Sequence, residues 1–144
     1  MRAVFMALLL AGLAGAACAE TIHARFAPGA PVAIVAHRAN GFGAPENSLA
    51  GIEAAIAAGI DMVELDVRVT ADGVHILMHD STFERTTNAE EIYHDGQPVP
   101  PGPFALFSHI VAVYPFDKVA ALRLTDPAGG DHKVPTLEEA LRLA

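Results

Sequence analysis

The alternation of apolar and polar positions is clearest between residues 31 and 80. Pro31 opens the short apolar run "VAIVA", residues 32–36, which reads as a buried strand ending at His37. The Gly-rich stretch "HRANGFGAPEN" after it reads as loop. In "SLAGIEAAIAAGI" the apolar Leu49, Ile52 and Ile56 fall at helical spacing, with Asn47 or Ser48 as the N-cap and Gly59 as the stop. A strand is predicted over 61–67, a turn at Thr70-Ala71-Asp72-Gly73, and a further strand over 74–78. Strand, helix and strand in this order predict a parallel βαβ unit and the α/β class. The connection after Asp66 is too short for a parallel crossover, and Asp72-Gly73 is a hairpin dipeptide, so the next pair is predicted antiparallel. A two-residue turn at Ala71-Asp72 would set Glu64 directly across from His79.

Downstream the pattern weakens. "DGQPVPPGP" is excluded from regular structure by its prolines, and residues 89–115 as a whole read as a Pro-rich insertion. "FALFSHIVAVY" fits strand or helix, and "PFDKVAALRL" fits a short helix or a turn. The final "VPTLEEALRLA" carries a start signal: Thr136 can cap, Glu138 and Glu139 sit in the first turn, and Leu137 and Leu141 share a face.

Composition sets bounds on these elements. The 144 residues are 52% hydrophobic with a net charge of −8, which is globular and argues against a sequence-independent nucleic-acid partner. "MRAVFMALLLAGLAGAACAE" has an early Arg2, an apolar stretch and the small-x-small site Ala17-Cys18-Ala19. Residues 1–19 are therefore expected to be a signal peptide cut after Ala19, too short in its apolar part for a transmembrane segment. This predicts an exported protein, periplasmic or secreted. A competing reading makes Cys18 a lipoprotein attachment site, although Gly15-Ala16-Ala17 lacks a leucine three places upstream. With Cys18 removed, no cysteine remains for a disulfide, so the core alone must hold residues 20–144 together.

The candidate chemistry is concentrated at the strand ends. Glu64 and Asp66 interrupt an apolar run two residues apart, on one face of the predicted strand. Two such carboxylates repel unless a cation or a set of donors receives them, and oxygen ligands suit Mg²⁺ or Ca²⁺. The plainer alternative is a solvated strand face. His37, followed by Arg38, ends the first strand, and His79, followed by Asp80, ends another. Imidazoles can exchange protons near neutral pH, and an arginine fork suits a phosphate. Arg38 could equally form a surface pair with Glu46. Together these groups are the parts of a phosphoryl-transfer site. His75, His94 and Asp95 read as surface or turn residues, and His23, His109 and His132 have no identifiable partner in the sequence.

The run "AHRANGFGAPENSLAGIEAAIAAGIDMVELDVRVTADGVHILMHDSTFERTTN", Ala36 to Asn88, and the later "VPTLEEAL" resemble the glycerophosphodiester phosphodiesterase family. That family reads His-Arg-Gly, Pro-Glu-Asn-Thr, Glu-Leu-Asp-Val, Thr-x-Asp-Gly, His-Asp and Arg-Thr-Thr-Asn. The resemblance implies a TIM-type (β/α)8 barrel that hydrolyses glycerophosphodiesters to sn-glycerol 3-phosphate and an alcohol with a bound divalent cation, Ca²⁺ or Mg²⁺. It implies His37 as proton acceptor and His79 as proton donor, Glu64 and Asp66 as metal ligands, and Arg38 as a phosphate contact. Glu46 and Asn47 would belong to the supporting loop. Ala39 stands where the family has Gly, so this turn is expected to avoid positive φ. The family's further metal-binding Glu would follow the "PTLEEAL" helix, beyond residue 144. Since such a barrel takes about 250 residues, residues 20–144 are expected to be about its first half. The Pro-rich segment is expected to cover the substrate pocket and alter the headgroup preferred. A small-molecule glycerophosphodiester is the expected partner, and no protein partner is identifiable. Two alternatives stay open: a non-catalytic half barrel that binds a metal or a partner, and a related phospholipid phosphodiesterase.

Overall fold

The computed structural model describes residues 27–93 and 109–143. The expected signal peptide and residues 94–108 of the Pro-rich segment lie outside them. The chain divides into two compact units, Met1–Ala33 and Ile34–Ala144. In the described part of the first, the Ala30 N–H closes a turn on the Ala27 carbonyl at 3.0 Å. All that follows concerns the second.

The predicted βαβ unit is present. β1 (Val35–Ala36) pairs in parallel with β2 (Met62–Val63), Val35 against Met62 and Ala36 against Val63. Between them runs α1, Leu49–Ala57. Ser48 is its N-cap, with the hydroxyl oxygen accepting from the Gly51 N–H at 3.0 Å, and Gly59 follows its end at φ +71°. β1 is shorter than the predicted 32–36 strand and is not wholly buried. Ile34 and Val35, which point to opposite faces, are both exposed, and Ala36 is buried.

The strand predicted over 61–67 is not continuous. It breaks at Glu64–Asp66: β2 belongs to the parallel pair, and β3 (Val67–Val69) pairs antiparallel with β4 (His75–Leu77). The antiparallel prediction holds, but the turn has three residues rather than two. Thr70 N–H bonds the Val74 carbonyl at 3.0 Å, leaving Ala71, Asp72 and Gly73 as the loop, with Gly73 at φ +85°. A left-handed Gly at the end of a three-residue hairpin loop is a favoured alternative to the two-residue turn. Val67 therefore faces Leu77, and the same register sets Leu65, not Glu64, opposite His79. The Asp72 carboxylate accepts from the Thr70 hydroxyl at 2.6 Å and from the Phe116 N–H at 3.0 Å, which fixes the turn against the start of the helix Phe116–Val119.

β4 organises the interior. Ile76, Leu77 and Met78 are all buried, and alternate residues serve different clusters. Ile76 and Met78 join Phe83, Val111, Tyr114, Val119, Leu122, Leu124 and Val134, while Leu77 joins Ala39, Ile52 and Ala140. The strand is also bonded on its second edge, where Leu77 N–H donates to the Pro135 carbonyl at 2.9 Å. Beyond it, α2 (Ala89–Ile92), a 3-10 turn (Val111–Val113), α3 (Phe116–Val119) and α4 (Leu137–Leu141) complete the described elements. Short helical turns thus stand at both described ends of the segment expected as a Pro-rich insertion, and its proline run lies outside the described residues. α4 begins with the predicted cap, as a full capping box: Thr136 accepts from the Glu139 N–H and the Glu139 carboxylate accepts from the Thr136 N–H.

Tertiary packing overrides one expectation outright. Arg38 and Ala39 both have positive φ, +55° and +52°, and the Asn40 N–H bonds the His37 carbonyl at 3.0 Å. This is the φ pattern of a type I′ turn, which prefers Asn-Gly in the middle. A left-handed alanine costs about 1–2 kcal/mol. The strain is held because Ala39 is fully buried against Ile52, Leu77 and Ala140, and its carbonyl lies over Gly51. A Cβ on Gly51 would stand 2.6 Å from that oxygen. Gly51→Ala is accordingly expected to destabilise the protein by about 1–2 kcal/mol, overpacking outweighing about 1 kcal/mol of gained helix propensity. Urea denaturation checks this, and a stabilised variant would contradict the close approach.

Candidate functional site

β1 and β2 are parallel, so their C-terminal ends lie side by side, and the residues just after them meet. His37 and Arg38 follow β1, and Glu64 follows β2. The ladder continues one step further, with the Glu64 N–H donating to the Ala36 carbonyl at 2.9 Å. The Glu64 carboxylate turns back and accepts from the Arg38 N–H at 3.0 Å. Asp66 lies in the strand break. Its N–H donates to Asn47 Oδ1, and its Oδ2 accepts from Asn47 Nδ2, both at 3.0 Å. Arg38 Nε stands 3.4 Å from the same Oδ2. Asn47 is buried at φ +55° and is anchored by its own N–H to the Arg38 carbonyl at 2.7 Å.

Five of the seven predicted site residues, Arg38, Glu46, Asn47, Glu64 and Asp66, are thus joined by hydrogen bonds or ion pairs. Glu46 accepts from Arg38 Nη1 at 3.3 Å, and both side chains are mostly shielded, so this is not a surface pair. Its stronger partner is a residue that the sequence pattern did not single out. Arg85 reaches Glu46 with Nη2 at 2.6 Å and Nη1 at 3.1 Å, and holds the Glu46 carboxyl below its ordinary value. The same guanidinium grips Asp80, with Nε at 2.5 Å and Nη2 at 3.2 Å. Asp80 in turn contacts His79 Nδ1 at 2.6 Å. His79 is therefore connected to the loop through Asp80, Arg85 and Glu46. Its carbonyl is held by Arg68, at 3.0 Å from Nε and 2.5 Å from Nη2. The imidazole of His37 is on an exposed residue at the end of β1. The signal that could have singled out Arg85 was its place in "RTTN", close enough to "HD" to fold back on it.

His109 and His132 also find partners, away from this cluster. His109 Nδ1 lies 3.2 Å from Glu84, and His132 Nε2 lies 3.2 Å from Asp126. Both are structural pairs.

Among the described residues, no group of three His, Cys, Asp or Glu is placed to hold a metal ion. The donor chemistry of the pair still fits a hard cation. Glu64 and Asp66 use Oε2 and Oδ2 against the loop, which leaves Oε1 and Oδ1 outside those bonds. Mg²⁺ is commonly held by one or two carboxylates, with water and substrate phosphate completing its shell. Arg38 Nε is buried against Asp66 Oδ2 at 3.4 Å, an ion pair without a full hydrogen bond.

The sequence profile of the glycerophosphoryl diester phosphodiesterase family matches residues 37–144. The chain belongs to that family. The profile starts at His37, the first residue of the cluster described above, and runs on through α4. Glycerophosphodiester phosphodiesterase 1 of Homo sapiens is 37% identical over 110 residues, 76% of this chain and 29% of that protein. A glycerophosphoryl diester phosphodiesterase structure from Parabacteroides distasonis aligns with a TM-score of 0.62 at 32% identity, over 83% of this chain and 37% of that one. A phosphodiesterase from Oleispira antarctica, in complex with the product sn-glycerol-3-phosphate, aligns with a TM-score of 0.60 at 26% identity, over 78% and 39%. The chain spans less than half the length of each of these relatives. The expected α/β fold, laid out as part of the family's TIM-type barrel, agrees with these structures.

Asp80 provides a pH test of the network. Arg85 first, and His79 second, hold its carboxyl down at about 2 against an ordinary 3.8, in opposition to its partial burial. A depressed carboxyl stabilises the fold fully above its unfolded value. That contribution shrinks as pH falls from about 4 and is gone below about 2. Asp80→Asn is expected to be less stable than the parent at pH 6, with the gap closing between those two limits. Urea denaturation as a function of pH measures it, and a gap that does not change with pH would contradict the pairing.

Proposed function

We propose that this chain carries the phosphate-handling side of a divalent-cation-assisted glycerophosphodiester phosphodiesterase. The observation that carries the reading is the convergence of Arg38, Asn47, Glu64 and Asp66 at the C-terminal ends of the parallel strands, where barrel enzymes place their chemistry. The Oleispira antarctica relative supports the product class, since it holds sn-glycerol-3-phosphate.

In this reading the substrate's phosphate lies against the Arg38 guanidinium, whose Nε stays turned to Asp66. Glu64 and Asp66 would hold the cation, Mg²⁺ or Ca²⁺, which when bound supplies positive charge for the non-bridging oxygens. His37 would accept a proton from the attacking water as its oxygen bonds to phosphorus, and the imidazolium of His79 would give its Nε2 proton to the departing alkoxide as the ester P–O bond breaks, leaving sn-glycerol 3-phosphate, the free alcohol and a His79 protonated on Nδ1. Asp80 engages Nδ1 of His79, which leaves Nε2 for this transfer. Asn47 keeps Asp66 in place, and Glu46 does the same for Arg38. The Pro-rich segment would shape the headgroup preference.

Release of sn-glycerol 3-phosphate from a glycerophosphodiester tests the reading, assayed after chelation and after adding back Mg²⁺ or Ca²⁺. Turnover is expected only with a cation. His79→Ala and His37→Ala are each expected to lower it by about 10²-fold or more while leaving the fold intact. Undiminished release by His79→Ala would reject its role. Metal binding by calorimetry without any turnover would favour the non-catalytic half barrel instead.

The leader-like residues 1–19 make this an exported enzyme in the same proposal. N-terminal sequencing of the protein recovered outside the cytoplasm should begin at Glu20. An intact Met1 would contradict export by cleavage, and a lipid-modified Cys18 at the N-terminus would favour anchoring.

A further inference from the structure

We propose that Arg85 is a positioning residue: by bracketing Glu46 and Asp80 with one guanidinium, it fixes which imidazole nitrogen of His79 faces the substrate and locks that pose to the Arg38 loop. The inference rests on the reading of His79 as the proton-transfer group.

The geometry is a continuous relay of charge-assisted bonds. Arg85 uses Nη1 and Nη2 on the two oxygens of Glu46, and Nε and Nη2 on the two oxygens of Asp80. Every guanidinium nitrogen is engaged by a carboxylate. Asp80 Oδ1 is shared between Arg85 and His79 Nδ1, at 3.2 Å and 2.6 Å. Glu46 Oε1 is shared between Arg85 and Arg38, at 2.6 Å and 3.3 Å. An isolated exposed ion pair contributes little and holds nothing in place. Here a rigid planar fork is bidentate to both partners, so each carboxylate loses its rotational freedom.

The consequence falls on His79. Asp80 is acceptor-only when ionised, so its contact at 2.6 Å requires the proton on Nδ1. In water, neutral imidazole favours Nε2–H instead. An Asp80 free to rotate would leave the tautomer to that preference, whereas an Asp80 pinned by Arg85 enforces Nδ1–H. A hydrogen bond of this kind on the far nitrogen is how proteins select a histidine's working face. Lysine offers a point charge in place of a fork and cannot bracket both carboxylates.

Long-range ¹H–¹⁵N spectra of ¹⁵N-histidine-labelled protein, at about pH 9 where imidazoles are neutral, read the tautomer directly. His79 of the parent is expected as Nδ1–H. Arg85→Met should move it toward Nε2–H, with kcat lower by about 10–100-fold and KM within about twofold. Arg85→Lys, which keeps the charge and guards against loss of folding in the first variant, should move it likewise. Folded variants of either kind with the parent's tautomer would overturn the proposal. The two readings separate cleanly. A tautomer change in a protein that never turns over supports the positioning and counts against the hydrolase. An unchanged tautomer in an active enzyme does the reverse.

Discussion

The structure around this site depends on how two carboxylates are received inside an apolar run. Glu64 and Asp66 interrupt a sequence that would otherwise make one long strand, and burying their charge without donors would be prohibitive. The chain supplies the donors from a single loop. The Arg38 N–H takes Glu64, and the Asn47 side chain takes both the backbone and the carboxylate of Asp66. This reception breaks the strand in two. It lets β2 stay in the parallel pair with β1 while β3 turns away to pair with β4.

The loop can do this only by adopting unfavourable backbone. Arg38, Ala39 and Asn47 all have positive φ, and none is glycine. Such residues gather where surrounding contacts over-determine the conformation, and functional sites are where they gather most. Here the over-determination is identifiable. Ala39 is locked between Ile52, Leu77 and Ala140, and the bare face of Gly51 gives its carbonyl room. Helix α1, capped by Ser48 right after Asn47, is thus both the crossover of the βαβ unit and the floor beneath the site. β4 sits against the same floor through Leu77, and two residues after its end comes His79. The core and the chemistry share one support.

What could be read in the sequence was what local rules decide. The cap at Ser48, the stop at Gly59 and the capping box at Thr136 follow from side-chain chemistry within a few residues of the feature itself. The βαβ unit follows from the order of elements. The hairpin register did not, because Asp72-Gly73 serves either a two-residue or a three-residue turn, and one residue of slip moves every pairing. Nor did the positive φ of Ala39, since local preference forbids it and only burial enforces it. In the site, Glu64, Asp66 and Arg38 could be singled out from their places at strand ends, whereas Asn47 entered only through the family resemblance. Arg85 escaped notice because its role comes from bonds to Glu46 and Asp80, one of them 39 residues away.

In the proposed reading a phosphate would lie against Arg38, a cation would sit on Glu64 and Asp66, and His37 and His79 would flank the ester. A crystal structure of the protein with sn-glycerol 3-phosphate and Mn²⁺, whose anomalous scattering marks the metal, tests this most directly. The predicted result is Mn²⁺ bound by both carboxylates, the phosphate within hydrogen-bond reach of Arg38, and His37 and His79 flanking it. Metal or phosphate bound elsewhere, with Glu64 and Asp66 still closed on the loop alone, would contradict it.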